Sequence, residues 1–126
     1  MKVEKVLVGL LIFLTVILGC DSKKIAVVPE NFIGVWGTSD PTYADRTFEI
    51  TRNEVIFQIG EQDFNTYSIK SVKMEKTSGE EGSLYTINYT NKEGQKYEFS
   101  FYYNQSGQGE IRYKNQRQMA WTKKKS

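Results

Sequence analysis

The sequence predicts an all-β protein: a small eight-stranded antiparallel up-and-down barrel behind a cleaved signal peptide. Three observations carry this prediction. From Asn31 onward no helical period is present, only short runs rich in aromatic and β-branched residues, parted by Gly, Asn, Asp and Ser clusters. Every connection between runs is short, which forces sequential antiparallel neighbours, because a parallel crossover needs about a dozen residues or more. The first twenty residues form a basic head and an apolar run of targeting length. Closure of eight meandering strands removes the exposed edges an open sheet would carry. A half-open barrel or a two-layer sandwich is the alternative.

The elements follow in order. Lys2 and Lys5 precede an apolar run of 13 residues, Val6 to Leu18, interrupted only by Gly9 and Thr15. That run is too short to span about 30 Å of hydrocarbon as a stable helix. Residues 1–19 are read as signal peptide, 20–30 as a flexible tether (DSKKIAVVPE from Asp21), and 31–126 as the barrel domain. The eight runs are Phe32 to Thr38, Arg46 to Thr51, Glu54 to Ile59, Asn65 to Lys76, Leu84 to Tyr89, Lys96 to Tyr103, Ile111 to Tyr113 and Gln118 to Lys123. In the fourth, Tyr67 and Ile69 lie on one parity and Val72 and Met74 on the other. A parity switch inside one strand marks a β-bulge, placed near Ser71. Asn91-Lys92-Glu93-Gly94 reads as a type I turn ending on a left-handed glycine.

Composition excludes more than it selects. Two of the 17 basic and one of the 15 acidic residues lie in 1–19, so the mature chain of about 107 residues carries a net charge near +1. No field of that size steers a protein onto nucleic acid. Cys20 is the sole cysteine and histidine is absent. Disulfides, thiolate chemistry and the commonest general base and metal ligand are thereby unavailable to the mature domain. No metal and no cofactor is expected. Glu80-Glu81, Asp40 and Asp45 lack the clustering calcium needs, and Asp45-Arg46 reads as a local ion pair. Gly107 and Gly109 are turn glycines, since no helix follows to make a phosphate loop. The Asn88 and Asn104 sequons carry no weight, and the Lys123-Lys124-Lys125 tail reads as solvated.

Ile17-Leu18-Gly19-Cys20 resembles the lipobox of bacterial lipoproteins. The resemblance implies that Cys20 is acylated and becomes the new N-terminus, anchoring the chain to a membrane. Gly34-Val35-Trp36 resembles the Gly-x-Trp signature of lipocalins and their small bacterial relatives. That resemblance implies that Trp36 closes one barrel end beneath an arginine from the final strand region. Arg117 is the first candidate and Arg112 the second, a cation over an aromatic face.

Sixteen mature residues are aromatic, eight of them tyrosine. Their first role is core, since a small domain without staples needs large side chains to bury area. Should the inward faces enclose a pocket, Tyr67, Tyr85, Tyr89, Tyr97, Phe99, Phe101 and Tyr103 are the candidate lining. The expectation is a lipid-anchored, non-enzymatic protein of the bacterial cell envelope, at its periplasmic or extracellular face. It would bind a small apolar or amphipathic ligand in or at the barrel. The alternative is a protein–protein interaction module resembling pilotin-like or inhibitor-like lipoproteins, with an envelope protein as partner.

Overall fold

The computed structural model describes residues 22–25, 27–77, 82–105 and 107–124. Its strands are β1 Ser22–Ile25, β2 Gly34–Gly37, β3 Arg46–Ile50, β4 Glu54–Ile59, β5 Asp63–Glu75, β6 Ser83–Thr90, β7 Lys96–Asn104, β8 Glu110–Tyr113 and β9 Gln116–Lys123. Strands β2 to β9 pair in sequence order, β9 returns to β2, and the β5–β6 pairing completes a closed eight-stranded up-and-down barrel. Sequence and structure agree on this architecture.

Local chemistry sets the turns. Between β3 and β4, Thr51 Oγ1 accepts from the amides of Asn53 and Glu54, at 3.3 and 2.9 Å. Between β6 and β7, Asn91 Oδ1 accepts from the amides of Glu93 and Gln95. Gly94 follows at φ 84°, which an L side chain adopts only at a cost. The β5–β6 register shifts between Ile69 and Ser71, which is the expected bulge.

Two segments depart from the sequence reading. Phe32 belongs to a single 3-10 turn, Glu30–Phe32, rather than to the first strand. The amides of Phe32 and Ile33 donate back to the carbonyls of Pro29 and Glu30, which swings the phenyl ring under the barrel. The expected tether holds β1, antiparallel to β5 from Ser22 opposite Glu75 to Ile25 opposite Val72. The 13 residues of β5 outrun the six of β4, so its second half would otherwise present a bare edge. Four of the tether residues are therefore sheet. Cys20 and the leader lie outside the described residues.

Alternation along the strands becomes inside and outside. Phe48 is the hub of the interior, with Trp36, Phe57, Phe99, Tyr113 and Trp121 at centroid distances of 5.2 to 6.4 Å. Ile50, Val55, Val72, Ile87, Phe101 and Ile111 complete the dry core. One end of the barrel gathers the start of β2 and the β3–β4, β5–β6 and β7–β8 connections. The other, the mouth, gathers the β2–β3, β4–β5, β6–β7 and β8–β9 connections. Among the described residues no helix is long and apolar enough to cross a membrane.

Candidate functional site

The end opposite the mouth is sealed. Phe32 stands edge-on to Tyr85 at 4.7 Å and to Phe101 at 5.3 Å, with Tyr103 at 5.1 Å. Trp36 is fully buried beside this plug. The cation over its ring is Lys123, with Nζ 5.6 Å from the centroid. Arg117 and Arg112 are not the closing cations. Trp36 is the register partner of Lys123, and Arg117 lies six residues back along β9, about 20 Å of strand away. Arg117 sits over Tyr102 at 5.9 Å. Arg112 pairs with Glu110 at 2.9 Å and donates to the carbonyl of Arg117. The Lys123 stem passes over Gly34, whose φ of 144° favours glycine at this position. Lys123 is thus part of the closure rather than of a solvated tail.

Two hollows lie at the mouth. A hollow of about 390 Å³ is lined by Tyr43, Arg46, Thr47, Phe57, Gln58, Ile59, Tyr113, Gln116 and Trp121. A second, of about 490 Å³, shares Phe57, Tyr113 and Gln116 and adds Phe99 and the β8–β9 turn. The turn Pro41–Tyr43, capped by Asp40 Oδ1 on the Thr42 amide at 2.9 Å, sets Tyr43 at the rim. Arg46 lies over the Tyr43 ring at 4.9 Å. It makes no ion pair with Asp45 among the described residues, contrary to the reading of that dipeptide.

Trp121 is the unusual member of this lining. It is 3% exposed and stacked on Tyr113 at 5.1 Å, and its indole N–H has no acceptor. A buried donor without a partner costs about 1–3 kcal/mol, so such groups are rare. Burial also pushes the Tyr113 hydroxyl well above the ordinary tyrosine range, with Tyr89 adding to the shift. Both side chains therefore stand at the apolar floor of the mouth as neutral polar groups.

The seven candidate lining residues divide by height in the barrel. Tyr85, Phe101 and Tyr103 are packed around Phe32 at the sealed end. The Tyr103 hydroxyl donates to Gln105 at 2.8 Å, which also accepts from Asn31. Tyr67, Tyr89 and Tyr97 form a cluster on the mouth side, with centroids 5.0 to 5.7 Å apart. Burial first, then the neighbouring Tyr67 and Tyr97, raises the Tyr89 hydroxyl. Of the seven, Phe99 lines one of the two mouth hollows, while Tyr89 and Tyr97 border a separate one on the barrel wall. Phe57, Tyr113 and Trp121 have only the alternation of their strands as a sequence signal, which sets them inward without marking them out. Tyr43, Arg46 and Gln116 carried no signal for the site beyond lying next to turns.

Among the described residues no group of three or more carboxylates could hold a metal ion. No family model, no curated protein and no solved structure matches the chain.

Proposed function

We propose that this protein is a non-enzymatic, lipid-anchored envelope protein whose barrel mouth binds a small amphipathic ligand. The observation that carries this reading is the unpartnered indole N–H of Trp121 on the lining of the mouth hollow. The N–H is covered in the ligand-free barrel, so an acceptor on the ligand would satisfy it by displacing the ring over it, while the apolar part lies over Phe57, Tyr113 and Phe99. Ligand sites commonly pair an apolar wall with a few placed polar groups. The anchor rests on the Cys20 lipobox, and the absence of a catalytic constellation in the sequence supports a binding role.

Isothermal titration of the purified protein with a medium-chain fatty acid tests the site. Trp121→Phe should weaken binding about tenfold, as loss of one hydrogen bond to a charged acceptor implies, with the melting temperature little changed. No binding by the unaltered protein, or equal binding by the variant, defeats the reading.

The exposed Ile59 and Phe64, 44% and 56% accessible near the mouth, favour a second reading in which a protein docks there. A photocrosslinker placed at residue 64, compared with one at residue 92, separates that reading from a small ligand.

A further inference from the structure

The outer wall of β1, β5, β6 and β7 carries a hollow separate from the two described at the mouth, running from the β1–β5 ladder towards the β6–β7 turn. Lys24 and Lys73 stand directly opposite one another across the β1–β5 ladder. Lys96 on β7 stands opposite Thr90 of β6, and Lys70 occupies the bulge of β5, where the register shifts. These four lysines surround a hollow of about 350 Å³, whose lining also takes in Ser71, Asn88 and Thr90 and the edges of Tyr89 and Tyr97. Asn88 Nδ2 donates to Ser71 Oγ at 3.1 Å within it.

The charge in this hollow is unbalanced. No carboxylate lines it. Glu98 and Glu75, on rungs opposite Asn88 and Ser22, fall outside the lining. Among the described residues none of the four lysines makes an ion pair. Like charges directly opposite on an antiparallel pair are destabilising, so the arrangement gains when an anion enters. Lysine is a hydrated point charge that suits a phosphate oxygen without demanding bidentate geometry. The concavity accepts one compact anionic group, and a chain this close to neutral offers no extended track for nucleic acid.

We infer that this hollow is a binding site for the headgroup of an anionic phospholipid, set on the barrel wall next to the anchor. The choice of a lipid source rests on the lipid-anchor reading. With Cys20 acylated, at most about 14 Å of extended chain separates the attachment point from Lys24. The hollow then lies within reach of the bilayer surface. Each lysine near an anionic surface strengthens association about fivefold, and salt weakens the effect over the Debye length.

Lysine footprinting tests it. The full-length chain is reconstituted with phosphatidylcholine vesicles, with or without phosphatidylglycerol, and treated briefly with an acylating reagent read by mass spectrometry. Lys24, Lys70, Lys73 and Lys96 should be protected severalfold only when phosphatidylglycerol is present. Lys92 and Lys114, on the mouth turns, should react equally in both. A double variant, Lys70→Gln with Lys73→Gln, should lose protection at Lys24 and Lys96 while keeping its β-sheet circular dichroism. Association with both vesicle types and equal reactivity in both overturns the headgroup site and leaves the anchor standing. Failure to associate with either overturns both. Equal protection by soluble glycerol 3-phosphate over phosphatidylcholine vesicles assigns the hollow to a free anion and overturns the lipid assignment.

Discussion

The indole N–H of Trp36 donates to the main-chain carbonyl of Phe32, four residues earlier, at 2.9 Å. This bond ties the wall of the barrel to the plug at its sealed end. The bond fixes the turn at Glu30–Phe32 so that the Phe32 ring meets Tyr85 and Phe101 edge-on. Phe32→Ala should therefore destabilise by about 3–5 kcal/mol. Trp36→Phe keeps most of the apolar area but strands a carbonyl, a loss of about 1–3 kcal/mol. Lys123→Met keeps the stem over the ring and should cost under about 1 kcal/mol. Urea unfolding with an unchanged slope would measure all three.

Gly82 should be the least replaceable glycine among those with positive φ. At φ 95° it already lies where L residues are strained, and a Cβ would collide with the carbonyl oxygen of Tyr103. Gly60, at φ 67°, has open space around it. Gly60→Ala should cost about 1–2 kcal/mol from conformation alone, and Gly82→Ala clearly more. Equal melting temperatures for the two variants would contradict the packing at this loop.

Alkali should unfold the barrel through its tyrosines. Burial raises Tyr85, Tyr89, Tyr103 and Tyr113 above the ordinary 10.0. Below that value the hydroxyls are neutral in both states and these tyrosines add no pH dependence to stability. Above it the unfolded chain releases protons that the folded barrel retains, so stability falls as pH rises. Tyr113→Phe should flatten this decline most. Tyrosinate absorbance recorded alongside circular dichroism should show late ionisation coinciding with loss of the sheet.

Cys20→Ala should abolish incorporation of labelled palmitate and leave an unprocessed or mislocalised precursor. Equal labelling of the variant and the unaltered chain would refute acylation at this position.

Local features were legible in the sequence because their causes are local. The parity switch from Tyr67 and Ile69 to Val72 and Met74 is itself the bulge, and Asn91 with Gly94 carries the whole chemistry of its turn. The Trp36 cation was not legible. Its identity depends on how β9 meets β2, a register fixed by closure rather than by any neighbouring residue. The mouth was half legible. Alternation tells which side chains point inward, but their height along the axis follows from the stagger of all eight strands. Tyr85 and Tyr113 share a parity rule, yet one is sealed under Phe32 and the other floors a hollow.

The seam between β2 and β9 has a temporal consequence. It rests on two register pairs, Thr122 with Gly37 and Lys123 with Trp36, continued by the Lys124 amide donating to the Val35 carbonyl at 2.8 Å. These contacts join residues near opposite ends of the domain, and loop closure of that span is slow compared with hairpin formation. A chain made N-terminus first holds seven hairpin-ready strands before the residues that lock them exist. Until Thr122 and Lys123 emerge, Trp36 has no roof and β2 no second neighbour. Synthesis halted before Thr122 thus yields an open sheet with a bare edge, a species that invites association with its own kind.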